Sequence, residues 1–183
     1  GPPVKPYLPA NFLKPIDTLD EEGYEVEKDE RLYRRGLYLN RKRSFLDPAL
    51  AAFNAPTREE CVSARSHAAT PRAALAALNA PQFIEAARAF AERIYLAGDC
   101  DTASFDAAFQ FALDRKPTDA ETKILAQLLA SERAAFAHDK FAAARFIRTG
   151  HYRWPASMDA AELASWTTLA RAILNLEETN TRY

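Results

Sequence analysis

The chain has 183 residues, enough for one ordinary domain with a real core, or for a small domain and an extended arm. Its 24 basic and 25 acidic side chains leave a net charge of −1, so no overall field draws it toward nucleic acid or an anionic membrane. Apolar residues make up 48% of it, the balance of a globular protein, yet no apolar run approaches the roughly 18–20 residues of a membrane span.

Composition divides the chain near Ser44, with residues 1–43 reading as an extended arm and residues 44–183 as an α-helical bundle. The opening "GPPVKPYLPANFLKP" holds five of the eleven prolines, and proline fixes φ and biases its predecessor toward extended geometry. Residues 17–30, "DTLDEEGYEVEKDE", carry eight acids and one lysine. Residues 31–43, "RLYRRGLYLNRKR", carry six bases and no acid. Opposite runs that abut suggest a fold-back in which they screen each other; the other reading has the basic strip face an acidic partner. The leucine and aromatic content of Leu32–Leu39 predicts a short strand, bent at Gly36.

After Ser44 the pattern is helical. Thr70-Pro71 is an N-cap followed by proline at the first helical position, and this helix ends near Asn79. Pro81 opens the next, with Phe83, Ala87, Phe90 and Ile94 as its apolar stripe and Gly98 as its stop. Ser104 is the expected cap of a segment bearing Phe105, Ala108, Phe109 and Ala112. Thr118 and Glu121 form a capping box ahead of Ile124, Leu125, Leu128 and Leu129. Asp139 caps a short helix through Phe146. A final helix of about five turns carries Leu163, Trp166, Leu169, Ala170, Ile173 and Leu176. Six or so amphipathic helices with short connections make a mainly α fold, an orthogonal helical bundle with an extended Pro-rich arm and room for one short β element.

Candidate chemistry is sparse. Cys61 and Cys100 are the only cysteines, in no haem-attachment or zinc spacing, and read as two buried thiols rather than a disulfide. Cys61 and His67 fall on different faces of an unbroken helix, which argues against a nucleophile and base. Asp99, Asp101 and Asp106 resemble a calcium loop, but Ser104 and Gln110 stand where its glycine and bidentate glutamate belong. His138 and His151 lack second ligands and read as surface residues. No phosphate-cradling glycine loop or serine elbow occurs. No catalytic, cofactor-binding or metal-binding residue is therefore assigned. Tyr152 and Trp154, in "HYRWP", are the residues suited to stacking on a sugar ring or anchoring a partner, against a plainer reading in which the loop folds onto the last helix.

Several ordered motifs carry a family resemblance. They are "GPPVKPYLP" (Gly1–Pro9), "YRRGLY" (Tyr33–Tyr38), "FNAPTREEC" (Phe53–Cys61), "TPRAALAALNAPQFIEAARAFAER" (Thr70–Arg93), "RKPTDAE" and the terminal "WTTLARAILNLEETNTRY". Together they resemble the C-terminal part of the planctomycete-type domain of unknown function that accompanies planctomycete cytochrome c domains in exported multidomain proteins, over almost the whole chain. There are departures. "SHAATPRAAL" stands where that family reads Arg-x-Thr-Asn-Thr-Pro-Leu-Gln-Ala-Leu, Leu39-Asn40 replaces an aromatic pair, and Ala80 replaces an aspartate cap worth about 0.5–2 kcal/mol.

The resemblance implies an exported, periplasmic or cell-surface setting and a chain that is part of a larger domain. Its partners would be the upstream part of the same polypeptide or a cytochrome c domain, with haem c on that partner and no cofactor in this chain. The expected function is a non-catalytic structural or interaction module. Arg34, Arg35, Arg58 and Arg65 are its candidate contacts, because guanidinium forks make specific bidentate pairs. Two alternatives stand beside it: a contributor to an oxidoreductase site completed by upstream residues, and a carbohydrate-binding module that takes polysaccharide on Tyr152 and Trp154. Nucleic acid is not an expected partner, since the one basic strip is short and adjoins a larger acidic one.

Overall fold

A computed structural model of the chain describes residues 1–5, 7–8, 26–27, 30–40, 46–57, 59, 61–64, 70–151 and 158–180. Among these residues the fold is mainly α, a helical bundle in which strand is all but absent. The helices are α1 (Pro48–Ala52), α2 (Pro71–Asn79), α3 (Pro81–Ala97), α4 (Asp101–Leu113), α5 (Asp119–His138), α6 (Lys140–Ile147), α7 (Ala160–Leu174) and α8 (Glu177–Asn180). The chain divides into two compact units, Gly1–Ala73 and Ala74–Tyr183. No helix of the described residues is long and apolar enough to cross a membrane.

In the first unit the N-terminal arm supplies a buried residue. Val4 donates its N–H to the Tyr38 carbonyl (2.9 Å) and accepts from Asn40 N–H (2.8 Å), one parallel bridge with Leu39. The strand predicted over Leu32–Leu39 does not form. Those residues make two 3-10 turns, Glu30–Tyr33 and Gly36–Tyr38, in which the amides of Arg34, Tyr38 and Leu39 bond to carbonyls three residues back. A strand needs a partner along its length, and the described arm pairs here only through Val4. Arg31 reaches Glu27 at 3.0 Å, a link between the basic and acidic runs; most of the acidic run lies outside the described residues. Helix α1 starts at Pro48 under a cap from Asp47, whose carboxylate accepts from Ala49 and Leu50 N–H.

Local signals set most of the helix ends from α2 onward. Thr70 Oγ1 accepts from Ala73 N–H ahead of α2. Pro81 opens α3 behind Ala80, which makes no side-chain cap. Thr118 and Glu121 form the reciprocal capping box of α5, and Asp139 caps α6 through Ala142 N–H. Helix α4 departs from the prediction. It starts at Asp101 with Cys100 as N-cap, and Ser104 is buried one turn inside. Just before it Gly98 has an extended backbone, and a Cβ there would come within 2.5 Å of Ser104 N, so only glycine lets α3 end against the first turn of α4. At its other end α4 stops on Asp114 in the left-handed conformation (φ 55°).

Helix α7 is the axis. Leu163, Ala164, Ser165, Trp166, Thr167, Leu169, Ala170 and Ile173 are all buried, which covers most of the helix circumference and leaves a strip at Ala172 exposed, and α3, α4, α5 and α6 pack around it. The hydroxyls of α7 are satisfied within the helix: Ser165, Thr167 and Thr168 donate to the carbonyls of Ala161, Leu163 and Ala164. The predicted five turns shorten to fifteen residues, and Leu176 lies beyond the end, 37% exposed. Neighbouring helices meet α7 through Ala87, Ala91 and Ile94, Phe105 and Phe109, Leu125 and Leu129, and Ala143 and Ile147. Of the predicted stripes, Phe83 and Phe90 are half-buried and Ile124 is 64% exposed. Both cysteines are free and exposed, not the buried thiols expected.

An arginine fastens the α4–α5 connection. Arg115 forks onto Glu121 of α5 (2.9 and 3.1 Å) and onto Glu178 of α8 (2.7 and 2.9 Å), with its guanidinium over the Phe109 ring at 5.0 Å. The bonds from Arg115, and then the Thr118 N–H, hold Glu121 down to about 2 from its ordinary 4.5; Glu178 is lowered by Arg115 too. A depressed carboxylate stabilises the fold above its unfolded value, and that contribution is lost as pH falls through the folded one. Thermal stability is therefore expected to fall between about pH 4.5 and pH 2, and Glu121→Gln to flatten that segment of the curve, as followed by circular dichroism.

Candidate functional site

The sequence "FIEAARAFAER" places Glu85, Arg88 and Glu92 at i, i+3 and i+7, one face of α3. Charged side chains at that spacing ordinarily line the solvent face. Here all three are buried, among Ala87 and Ala91, whose small side chains leave room for them. A buried cation must be paired or hydrogen-bonded, because the desolvation cost is otherwise on the order of several kcal/mol.

Arg88 meets that condition at the end of another helix. Its Nη1 donates to the carbonyl of Ile147, the last residue of α6, and to that of Thr149 at 3.1 Å. Those are carbonyls that the end of a helix leaves without intrahelical partners, and a cation there also complements the helix dipole. Its Nη2 lies 3.9 Å from Glu85 Oε1. The connection after α6 then passes over Glu85 at Gly150, which has φ 91° and whose absent Cβ would come within 2.6 Å of Glu85 Cδ. The unit is a latch: a buried guanidinium holds the α6–α7 connection, and a glycine lets the backbone pass.

A second polar centre joins three helices. Arg133 of α5 pairs with Asp101 at the start of α4 (2.5 and 2.9 Å) and with Glu162 in the first turn of α7. Glu162 also accepts from the buried indole of Trp166 (2.8 Å), and the guanidinium stacks on that ring at 5.9 Å. The hydrogen bonds from Arg133 lower the Asp101 carboxyl below its usual range. Arg171 of α7 makes a third contact, donating to the carbonyl of Leu78 near the end of α2 with its guanidinium over Phe146. Burial lowers its pKa. Arginine does not titrate in the working range, so the guanidinium groups themselves stay charged.

Of the residues singled out in the sequence, Arg34 is half-buried, donates to the Pro2 carbonyl at 3.1 Å and lies over the Tyr38 ring at 5.8 Å. Arg35 is exposed. Arg58, Arg65, His67, Tyr152 and Trp154 lie outside the described residues, and His138 and His151 are exposed. No group of three or more His, Cys, Asp or Glu among the described residues could hold a metal ion. Glu85 and Arg88 were not among the predicted site residues. The signal for them was present in the Glu-Ala-Ala-Arg segment of the family resemblance, whose charged pair falls on one helix face.

The family model described as PSD1, protein of unknown function (DUF1553), matches residues 1–129. The match takes in α1 to α4 and the first part of α5, with Glu85, Arg88 and Arg115 inside it, and stops short of the terminal segment included in the resemblance. No curated protein and no solved structure matches the chain.

The latch predicts that Gly150→Ala and Arg88→Ala each destabilise the fold, the first by strain at a positive φ plus the clash with Glu85. Removing the partner of buried polar groups costs about 3–5 kcal/mol. Urea unfolding measures both, and Arg88→Ala is expected to lie in that range.

Proposed function

The chain belongs to the PSD1 family of unknown function (DUF1553), and on that footing we propose that it is a non-catalytic structural and interaction module of a larger, exported, cytochrome-associated protein. What supports the reading is where its internal arginines go. Arg88 and Arg171 serve the carbonyl ends of α6 and α2, Arg133 ties the first turns of α4 and α7, and Arg115 ties α5 to α8. Each is held by groups of the chain itself, which suits a part that keeps a fixed shape.

Helix α2 supports the interaction half of the reading. It is amphipathic, yet none of its residues is fully buried, and Leu75 stands 60% exposed. A helix with an apolar face of this kind gains most of its stability when the face is covered. The partner in this reading is the upstream part of the same polypeptide or a cytochrome c domain, which would carry any haem. Partner and exported setting both rest on the family resemblance.

Calorimetric titration tests the reading directly. Saturable binding of the purified chain to the separately expressed upstream portion, with a rise in Tm, is the expected outcome. Absence of binding to both the upstream portion and the cytochrome c domain would contradict it.

A further inference from the structure

Three cations stand outside the pattern of internally held arginines. Residues 140–151, "KFAAARFIRTGH", carry Lys140, Arg145 and Arg148 and no acid. On α6, Ala143 and Ile147 are buried. Phe141, Arg145 and Arg148 lie at i, i+4 and i+7, within about 60° of one another around the helix and on the side away from Ala143 and Ile147. All three are exposed, and Phe141, at 90%, is more so than any other large apolar side chain described. None of the three cations enters an ion pair with a described residue.

We propose that this outer face of α6, Phe141, Arg145 and Arg148 with Lys140 at its flank, docks an acidic peptide segment of a partner protein that carries an apolar residue among its carboxylates. The proposal rests on the interaction-module reading and gives it a surface. Charge complementarity selects the occupant: two guanidinium forks one turn apart suit carboxylates, and the exposed ring between them and the helix start suits one apolar side chain. From Phe141 to Arg148 the helix rises about 10 Å, the length of three or four residues of extended chain. The face is also held rigidly, since its opposite side packs in the core and Arg88 fastens the end of the helix. A net charge of −1 and three cations are too few for the long-range pull on a nucleic acid or the cluster of about 4–8 bases that binds an anionic membrane.

Fluorescence anisotropy with a labelled synthetic peptide, Asp and Glu flanking a central Leu, provides the test. The intact chain is compared with Arg145→Glu/Arg148→Glu, with Phe141→Ser and with Lys123→Glu, an exposed control on α5; circular dichroism confirms that each folds. Saturable, salt-sensitive binding is expected, weakened at least about tenfold by the double reversal, reduced by Phe141→Ser and unchanged by Lys123→Glu. No saturation up to about 1 mM peptide, or equal binding by the double variant, overturns the proposal. So does tighter binding of single-stranded DNA or phosphatidylserine vesicles than of the peptide. The calorimetric titration separates this from the broader reading. Binding of the upstream portion without binding of the peptide removes the α6 surface and leaves the module intact, whereas no binding of either domain-sized partner removes the module itself.

Discussion

A helix that is buried around most of its circumference has to be enclosed, and α7 imposes that condition on the rest of the second unit. Its core-facing residues include Trp166, Leu169 and Ile173 on one side and Leu163, Ala164 and Ala170 on others. No single neighbour covers such a helix, so α3, α4, α5 and α6 are all required around it. The neighbours supply small residues where backbones come close, Ala87 and Ala91 from α3 and Ala143 from α6, and rings where space must be filled, Phe105 and Phe109 from α4. Even the polar groups of α7 obey the same constraint, since Ser165 and Thr167 turn their hydroxyls back to the helix's own carbonyls.

Short helices packed around a central one leave many backbone ends facing inward, and a helix end buried without partners is costly. Arginine solves this problem repeatedly here because its fork reaches two acceptors at once and its charge does not depend on pH. Arg88 and Arg171 meet carbonyl ends; Arg133 and Arg115 meet carboxylates in first turns, where the helix dipole also favours a negative charge. The side chains that hold this bundle in shape are thus charged ones, and none of them is among the arginines Arg34, Arg35, Arg58 and Arg65 that the sequence singles out as contacts.

What the sequence disclosed follows from range. Caps at Thr70, Thr118 and Asp139 and the prolines at Pro71 and Pro81 act within one turn, so their positions were legible. The start of α4 was not, because its N-cap, Cys100, makes no side-chain cap and so leaves no signal in the sequence. The strand expected over Leu32–Leu39 depended on a partner that the described arm supplies only at Val4. Glu85 and Arg88 were passed over because charge usually marks a surface, and their burial depends on α6, more than fifty residues further along. The exposure of Cys61 and Cys100 likewise had no local signature.

Helix α7 is the element whose enclosure the other helices of the second unit serve. Native-state hydrogen exchange measures this at single residues. Amides from Leu163 to Ile173 are predicted to exchange only through global unfolding, more slowly than those of α2 and α8. Exchange of α7 through local opening, ahead of α3 and α5, would contradict it.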